Sequence, residues 1–192
     1  MPEVELKCNC GQVRGKTKTL SPSAGTRIAC CCDDCQRYAE WLGQEDTVLD
    51  EYGGTDIFQM PVSFLKISEG NEHISCVRLG AKGMYRWYAK CCNTPIGNTM
   101  GKGVPFIGVV HSFMNHASTR KADLGESRGY IQTKFAKKEV PENLKAASLG
   151  TMLRSLSKLM LWKFKGFNKP TAFFDTNGNP VTEPNVLADP KD

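Results

Sequence analysis

Nine cysteines carry the chemistry that this sequence offers, and all of them lie between Cys8 and Cys92. Eight fall in three short clusters: Cys8-Asn9-Cys10, Cys30-Cys31-Cys32-Asp33-Asp34-Cys35 and Cys91-Cys92. Proteins bind zinc through four ligands in a tetrahedron, and cysteine sulfur is a preferred donor. Because two cysteines in one short loop reach the same ion at little entropic cost, the clusters predict zinc binding.

The first and third clusters together supply four sulfurs. A pair of cysteines at Cys8 and Cys10 with a pair around Cys91 and Cys92 would make a closed structural site, which ties the N-terminal strand to a much later hairpin. The middle cluster, with the spacing C-x-C-x-x-C, supplies three ligands from one segment: Cys30, Cys32 and Cys35. Three protein ligands with an open fourth position are the arrangement of a catalytic zinc. We therefore expect one or two zinc ions per chain, with any catalysis at the middle cluster.

The remaining candidate residues are less informative. Cys31 lies between two expected ligands and should point elsewhere, as an alternative ligand or a reactive thiol. Cys76 is alone in an alternating apolar segment and is predicted to be a core residue. His111 and His116 follow the last strand of the cysteine-rich half. Two roles are open for them, lining the zinc site or a purely structural role, and the structural role is favoured.

The elements that must position these residues are mainly strands in the first half. Hydrophobic alternation and glycine turns predict strands around 4–7, 12–15, 26–29, 57–60, 64–67, 74–79, 84–88 and 106–110. A short helix over 33–41, capped by Asp33 or Asp34, follows the middle cluster. In the second half, apolar residues at helical spacing predict an amphipathic helix from about Glu142 to Trp162, with the tail after Val181 frayed. The sequence thus indicates a mainly β, α+β protein.

Charge divides the chain into two regions. Residues 1–110 contain 12 cationic and 12 anionic side chains, a net of zero, whereas residues 111–192 contain 13 against 8, a net of +5. We interpret 1–110 as a zinc-binding domain and 111–192 as a basic, partly helical extension packed on it. The start lacks signal-peptide features and no apolar run is long enough to span a membrane, which favours the cytoplasm. In that reducing compartment clustered cysteines are typically metal ligands or catalytic thiols.

The order Cys8-x-Cys10-Gly11, Cys30-x-Cys32-x-x-Cys35-Gln36-Arg37 and Cys92-x-Thr94-Pro95-Ile96 resembles the glutathione-dependent formaldehyde-activating enzyme family, whose superfamily includes centromere protein V. The resemblance covers about residues 4–110. It implies a β-tent of small antiparallel sheets around zinc. It also implies structural ligands in the first and third motifs, and an active-site zinc on the middle motif whose ligands exchange with the glutathione thiol. The implied reaction joins glutathione and formaldehyde into S-hydroxymethylglutathione, as in a carbon–sulfur lyase.

Several positions depart from that family's pattern. Its third motif is C-x-x-C-G-T, but here Ala89 stands at the first cysteine and Asn93 at the glycine, so Cys91 is the candidate fourth structural ligand. The family usually has histidine where Cys31 stands, and the basic C-terminal region has no counterpart in it. These departures indicate a divergent branch.

In the catalytic interpretation, a small thiol such as glutathione is held as thiolate on the zinc of Cys30, Cys32 and Cys35, and attacks a small aldehyde. Arg37, Arg86 and Lys90 are candidates for binding the two glutathione carboxylates.

The alternative is a non-catalytic module in which zinc only stabilises the fold and the basic C-terminal region contacts nucleic acid or another anionic partner. Lysines and aromatic residues alternate from Lys163 to Lys169, which suits a phosphate backbone or an anionic membrane surface. A simpler interpretation is favoured, in which the apolar stripe of the helix packs on the β core and the lysines are solvated.

Overall fold

The computed structural model describes residues 3–18, 20–146 and 148–187. This part of the chain forms eleven strands in two sheets and four α-helices, so the predicted mainly β, α+β class is confirmed. The strands are β1 Glu5–Lys7, β2 Arg14–Thr17, β3 Thr26–Cys30, β4 Thr55–Met60, β5 Leu65–Glu69, β6 Ile74–Arg78, β7 Tyr85–Ala89, β8 Thr94–Thr99, β9 Ile107–Val110, β10 Tyr130–Ile131 and β11 Asn185–Val186. The α-helices are α1 Asp33–Trp41, α2 Glu45–Val48, α3 Arg120–Leu124 and α4 Ser148–Phe164.

The smaller sheet has three antiparallel strands in the order β1-β2-β5. The larger sheet has eight strands in the order β10-β3-β4-β9-β8-β7-β6-β11. Its six inner strands are antiparallel, and each edge strand runs parallel to its neighbour. The first two cysteine clusters lie beside β1 and β3, and the third lies in the turn between β7 and β8.

The sequence pattern does not reveal β8 or the two-residue edge strands β10 and β11, and β8 is the longest of the three. Every residue of this strand is buried, so it lacks the polar alternation of a half-exposed strand. Gly97 in its middle sits against β9, where an added Cβ would lie 2.7 Å from the carbonyl oxygen of Gly108. This strand pairs with β7 and therefore fixes the far side of the turn that carries Cys91 and Cys92.

The main core lies beneath both sheets and includes residues from the whole chain. Trp87 is completely buried, and its ring lies 4.9 Å from that of Phe173 and 5.5 Å from that of Phe174, measured between centroids. Leu124 belongs to the same cluster. Residues after 110 thus supply core side chains as well as the two edge strands of the larger sheet. The division of the chain into a zinc-binding domain and a C-terminal extension at residue 110 stays a prediction.

The C-terminal elements differ from the predicted ones. The long helix begins at Ser148, because Ala146 donates to the carbonyl of Tyr130 and Lys145 forms a bridge with the same residue, which holds these positions extended. Residues 142–144 form only a 3-10 turn. The tail is not frayed at 185–186, where β11 pairs with β6; residues 188–192 lie outside the described part of the chain.

The orientation of α4 also corrects the sequence-based prediction. Its apolar stripe does not pack on the β core; most of its large apolar side chains are at least half exposed. The polar side faces the sheet instead, with Ser155 donating to Gln59 and Lys158 donating to the carbonyls of Ser23 and Gly25. No helix among the described residues has the length and apolar character needed to cross a membrane.

Candidate metal centres

The four sulfurs of Cys8, Cys10, Cys91 and Cys92 all lie within 4.8 Å of one another. The Sγ–Sγ distances are 3.6 Å from Cys8 to Cys10, 3.3 Å from Cys10 to Cys91 and 3.8 Å from Cys91 to Cys92. A zinc tetrahedron with bonds of about 2.3 Å has sulfur–sulfur edges of about 3.8 Å. The set therefore fits zinc, with Cys91 in the place of the fourth donor.

Two turns bring these four sulfurs together. Cys8 and Cys10 lie in the turn after β1, and the amide of Cys8 donates to the carbonyl of Val13 across this turn. The opposite turn includes Asn93 at a φ of 55°, a left-handed conformation that asparagine tolerates better than most residues. The amide of Asn9 donates to the hydroxyl of Thr94 at 2.9 Å, which links the two turns directly.

The pKa shifts within this cluster differ from one cysteine to another. Burial raises the pKa of Cys92, but the hydroxyl of Thr94 and the amides of Cys10 and Thr94 outweigh it and lower the pKa to about 6. The amide of Val13 similarly points at the sulfur of Cys8 at 3.2 Å. Burial nevertheless raises the pKa of Cys8 and of Cys91, so Cys92 is the member of this cluster whose thiolate, the form that zinc binds, is favoured by its surroundings.

The second group comprises Cys30, Cys32 and Cys35, whose sulfurs also lie within 4.8 Å of one another. Cys30 ends β3, and Cys32 has extended backbone angles of −63° and 148° immediately before α1. Cys35 lies in the first turn of α1, where its amide donates to the carbonyl of Cys32 at 2.9 Å. The strand-to-helix turn thus collects three donors at a helix N-terminus, a position that stabilises thiolates.

Arg86 is the charged neighbour of this second group. Its side chain is 3% exposed, and its guanidinium lies 3.9 Å from the Cys35 sulfur, 3.3 Å from the Asn98 side-chain oxygen and 3.1 Å from an Asp34 oxygen. Hydrogen bonds from the Cys30 and Cys32 thiols, together with the charge of Arg86, hold the pKa of Cys35 well below its usual value. Asp34 therefore pairs with this arginine and makes no capping hydrogen bond to the helix.

Cys31 belongs to neither sulfur group and is fully buried. Burial, the charge of Asp50 and the nearby thiols raise its pKa to about 11, so it is a protonated thiol at neutral pH. Its carbonyl accepts a hydrogen bond from the side chain of Gln36, which also donates to the carbonyl of Phe135. Cys76 is buried in β6 as predicted, and burial raises its pKa to about 12.

The other two candidates for contact with glutathione lie in different places. Arg37 is half-buried on α1, two residues after Cys35. Lys90 is exposed and immediately precedes Cys91, so it is at the four-sulfur group. Their roles stay predictions. Gln36 donates to the carbonyl of Cys31, and Asn98 accepts from Arg86. Neither was identified from the sequence, because their positions depend on the fold of residues 133–135 and on strand pairing.

The histidines are outside both sulfur groups. His111 directs Nδ1 at the backbone oxygen of Asp56, 3.2 Å away, in a cleft that also contains Arg27 and Arg120. Asp56 pairs with both arginines, at 2.7 Å from Arg27 and 3.7 Å from Arg120. This arrangement agrees with the structural role that the sequence favoured for His111.

Comparison with known protein families identifies the chain's relatives. The model of a family of unknown function, DUF6151, matches residues 2–185. The chain belongs to this family. Among solved structures the chain is similar to a structural-genomics crystal structure of a Rhodobacter sphaeroides protein. The identity is 20% and the TM-score 0.46, over 66% of this chain and 99% of that one.

These comparisons assign no activity to the chain. A search of curated proteins finds no match. The likeness to the solved structure is too low to support an argument, and the DUF6151 family has no known function. The resemblance to the formaldehyde-activating enzymes thus rests on the cysteine motifs alone, and the functional argument depends on the geometry of the two sulfur groups.

Proposed function

We propose that this chain is a two-zinc protein that joins a small thiol to a small aldehyde at Cys30, Cys32 and Cys35. The carbon–sulfur bond forms between the thiol sulfur and the carbonyl carbon, the carbon–oxygen π bond breaks, and the thiol proton ends on the new hydroxyl. The product is a hemithioacetal, and the step needs no oxidant or reductant.

The observation that carries this proposal is the difference between the two sulfur groups. One group brings together four sulfurs, which satisfy a zinc tetrahedron, whereas the other brings together three. Cys31, in the same segment, is not part of the three-sulfur group. A zinc at three protein ligands has one position left for an exogenous ligand, as catalytic zinc sites do.

The surroundings of the three-sulfur group suit an extra thiolate. Three cysteine thiolates on Zn²⁺ leave one net negative charge, and a bound thiolate adds a second. Arg86 and the N-terminus of α1 both oppose that charge. Zinc there would hold the incoming thiol as its nucleophilic thiolate at neutral pH. Because Arg86 is buried and also engaged by Asp34 and Asn98, we assign it to this charge rather than to a substrate carboxylate.

The choice of substrates follows the motif resemblance. Glutathione is the proposed thiol and formaldehyde the proposed aldehyde, with Arg37 and Lys90 as candidate contacts for the glutathione carboxylates. The proposed location is the cytoplasm, because glutathione is abundant there and none of the nine cysteines forms a disulfide.

The test is glutathione binding to the zinc-loaded protein by calorimetry, together with hydroxymethyl-adduct formation from ¹³C-formaldehyde by NMR. We expect binding, and a rate above the uncatalysed reaction, for the parent protein. Cys32→Ser should abolish both, whereas Cys31→Ala, a change in the same segment outside the sulfur group, should retain them. Absence of glutathione binding, or an adduct rate equal to that without protein, would overturn the proposed function.

The alternative proposal is a non-catalytic module in which both zinc ions stabilise the fold and the basic C-terminal region makes the contacts. The exposed apolar face of α4 favours some contact by this region. In that case Cys32→Ser would lower stability but the zinc-loaded parent would bind no thiol. The same calorimetric experiment therefore separates the two proposals.

A further inference from the structure

The outer face of α4 is an apolar surface exposed to solvent. Seven large apolar side chains of this helix are between 50% and 84% exposed: Leu149, Met152, Leu153, Leu156, Met160, Leu161 and Phe164. At 3.6 residues per turn, all but Leu161 fall within an arc of about 120°. Scattered exposed apolar residues are normal on proteins, but a continuous apolar stripe along one helix marks a binding surface.

The helix is held in this orientation by its opposite face. Trp162 is buried, and the next residues fold back so that the Phe167 ring lies 5.1 Å from the Phe64 ring. Lys158 donates to two backbone carbonyls, and burial lowers its pKa to about 8. The polar side of α4 already forms hydrogen bonds to the rest of the protein. A rotation of α4 that buried its leucines would break these contacts.

The charged side chains of the segment that contains α4 are all positive. Residues 143–174 contain six lysines and arginines and no aspartate or glutamate. Lys163 is exposed in the last turn of α4 and Lys165 is exposed directly after it, whereas Lys169 donates to the carbonyl of Thr176. A partner for this surface must therefore accept apolar side chains and also supply negative charge.

We propose that α4 binds the surface of a lipid bilayer that contains anionic lipid, lying parallel to it with the apolar arc in the headgroup–acyl boundary. Such helices combine an apolar face with cationic residues, and neither contribution alone anchors a protein firmly. Lys163 and Lys165 then contact lipid headgroups, and each basic residue near an anionic surface strengthens binding.

Two other occupants fit the surface less well. A second copy of the chain would match the apolar arc, but residues 143–174 of that copy would supply only further positive charge. Nucleic acid would match the lysines, but phosphate contacts use no array of exposed leucine and methionine side chains. A bilayer with anionic headgroups matches both the apolar arc and the positive charge of the surface.

The test is flotation of the full-length, zinc-loaded protein with vesicles of phosphatidylcholine alone or mixed with phosphatidylserine. We expect binding to the mixed vesicles only, with a decrease as salt rises. The double variant Leu153→Glu/Leu156→Glu should lose binding by about tenfold or more, because it places carboxylates in the apolar arc. Lys163→Glu/Lys165→Glu should reduce binding to a comparable extent.

Two matched control variants distinguish binding through α4 from non-specific adsorption to the vesicles. Met100→Glu changes an equally exposed apolar residue outside the helix, and Lys82→Glu reverses an exposed charge in the turn before β7. Both should bind mixed vesicles like the parent protein. Circular dichroism and zinc content should be unchanged in all four variants, since every substituted side chain is exposed.

Several results would overturn the proposal. They are absence of binding to mixed vesicles, equal binding to both vesicle types, and binding that survives both α4 double variants. A dimer by analytical ultracentrifugation that Leu153→Glu/Leu156→Glu abolishes, without vesicle binding, would assign the surface to a second copy. Binding to nucleic acid that depends on Lys163 and Lys165 but not on the leucines, again without vesicle binding, would assign it to nucleic acid.

Discussion

Arg86 is the residue whose environment most clearly distinguishes the two sulfur groups. It lies 3.9 Å from the Cys35 sulfur and is almost fully buried, so its charge acts on this group with little screening by water. The four-sulfur group instead has neutral hydrogen-bond partners, among them the Thr94 hydroxyl and the Val13 amide. Substitutions at Arg86 should therefore affect one zinc and spare the other.

We predict that Arg86→Met lowers the zinc affinity of the three-sulfur group by about 10- to 100-fold, the usual effect of removing a group that supports metal ligands. The measurement is a competitive titration with a chromophoric zinc chelator. The four-sulfur zinc provides the internal control, because its release should be unchanged. Equal weakening of both zinc ions would mean that Arg86 acts through general stability.

The buried imidazole of His111 leads to a second prediction, on how the stability of the protein depends on pH. Burial lowers its pKa below the ordinary value of about 6.5, with Arg120 adding to the effect and Asp56 opposing it. The unfolded chain therefore takes up this proton before the folded protein does. Stability from neutral His111 is complete above about pH 6.5 and declines as the pH falls from there toward the lowered pKa.

His111→Asn keeps a donor for the Asp56 carbonyl but cannot take up the proton. We expect the free energy of unfolding of the parent to fall more steeply than that of His111→Asn below about pH 6.5. Urea denaturation of both proteins at several pH values measures the difference, and acid release of zinc affects both alike. Parallel curves for the two proteins would contradict the prediction.

At the scale of elements, the C-terminal segment contributes to the core through Phe173 and presents Phe164 to solvent. Phe173 is fully buried, whereas Phe164 is 84% exposed. We predict that Phe173→Ala lowers the free energy of unfolding by about 3–5 kcal/mol. The matched variant Phe164→Ala should change it by no more than about 0.5 kcal/mol. Chemical denaturation tests both, and similar small losses would show that the segment is not part of the folding unit.

The elements differ in how readily the sequence reveals them. Helix α1 and the half-exposed strands follow from hydrophobic period and glycine turns, and the cysteine spacing alone predicts both sulfur groups. Strand β8 has no alternation and contains Pro95, Gly97 and Asn98, residue types that are rare in strands, while β10 and β11 are only two residues long. The start of α4 depends on residues 145–146 pairing with β10. An amphipathic helix usually packs its apolar face on the core, but α4 turns this face outward. Its polar side chains instead contact Gln59, Ser23 and Gly25.

Across the whole molecule, the two sulfur groups differ in how far apart in sequence their cysteines lie. The four-sulfur group joins the β1–β2 turn to the β7–β8 turn, and the three-sulfur group joins β3 to α1. Metal binding to ligands that are apart in the unfolded chain contributes directly to folding free energy. Loss of the four-sulfur zinc should therefore destabilise the protein more than loss of the other.

The most direct test of the account is the zinc content of the purified protein and of one variant in each group. The parent should contain two zinc ions per chain, and Cys10→Ser and Cys32→Ser should each contain one. Glutathione should exchange with a ligand only on the zinc that Cys32→Ser lacks. A parent with a single zinc that is unaffected by Cys32→Ser would contradict the central claim, because the three-sulfur group would then hold no metal.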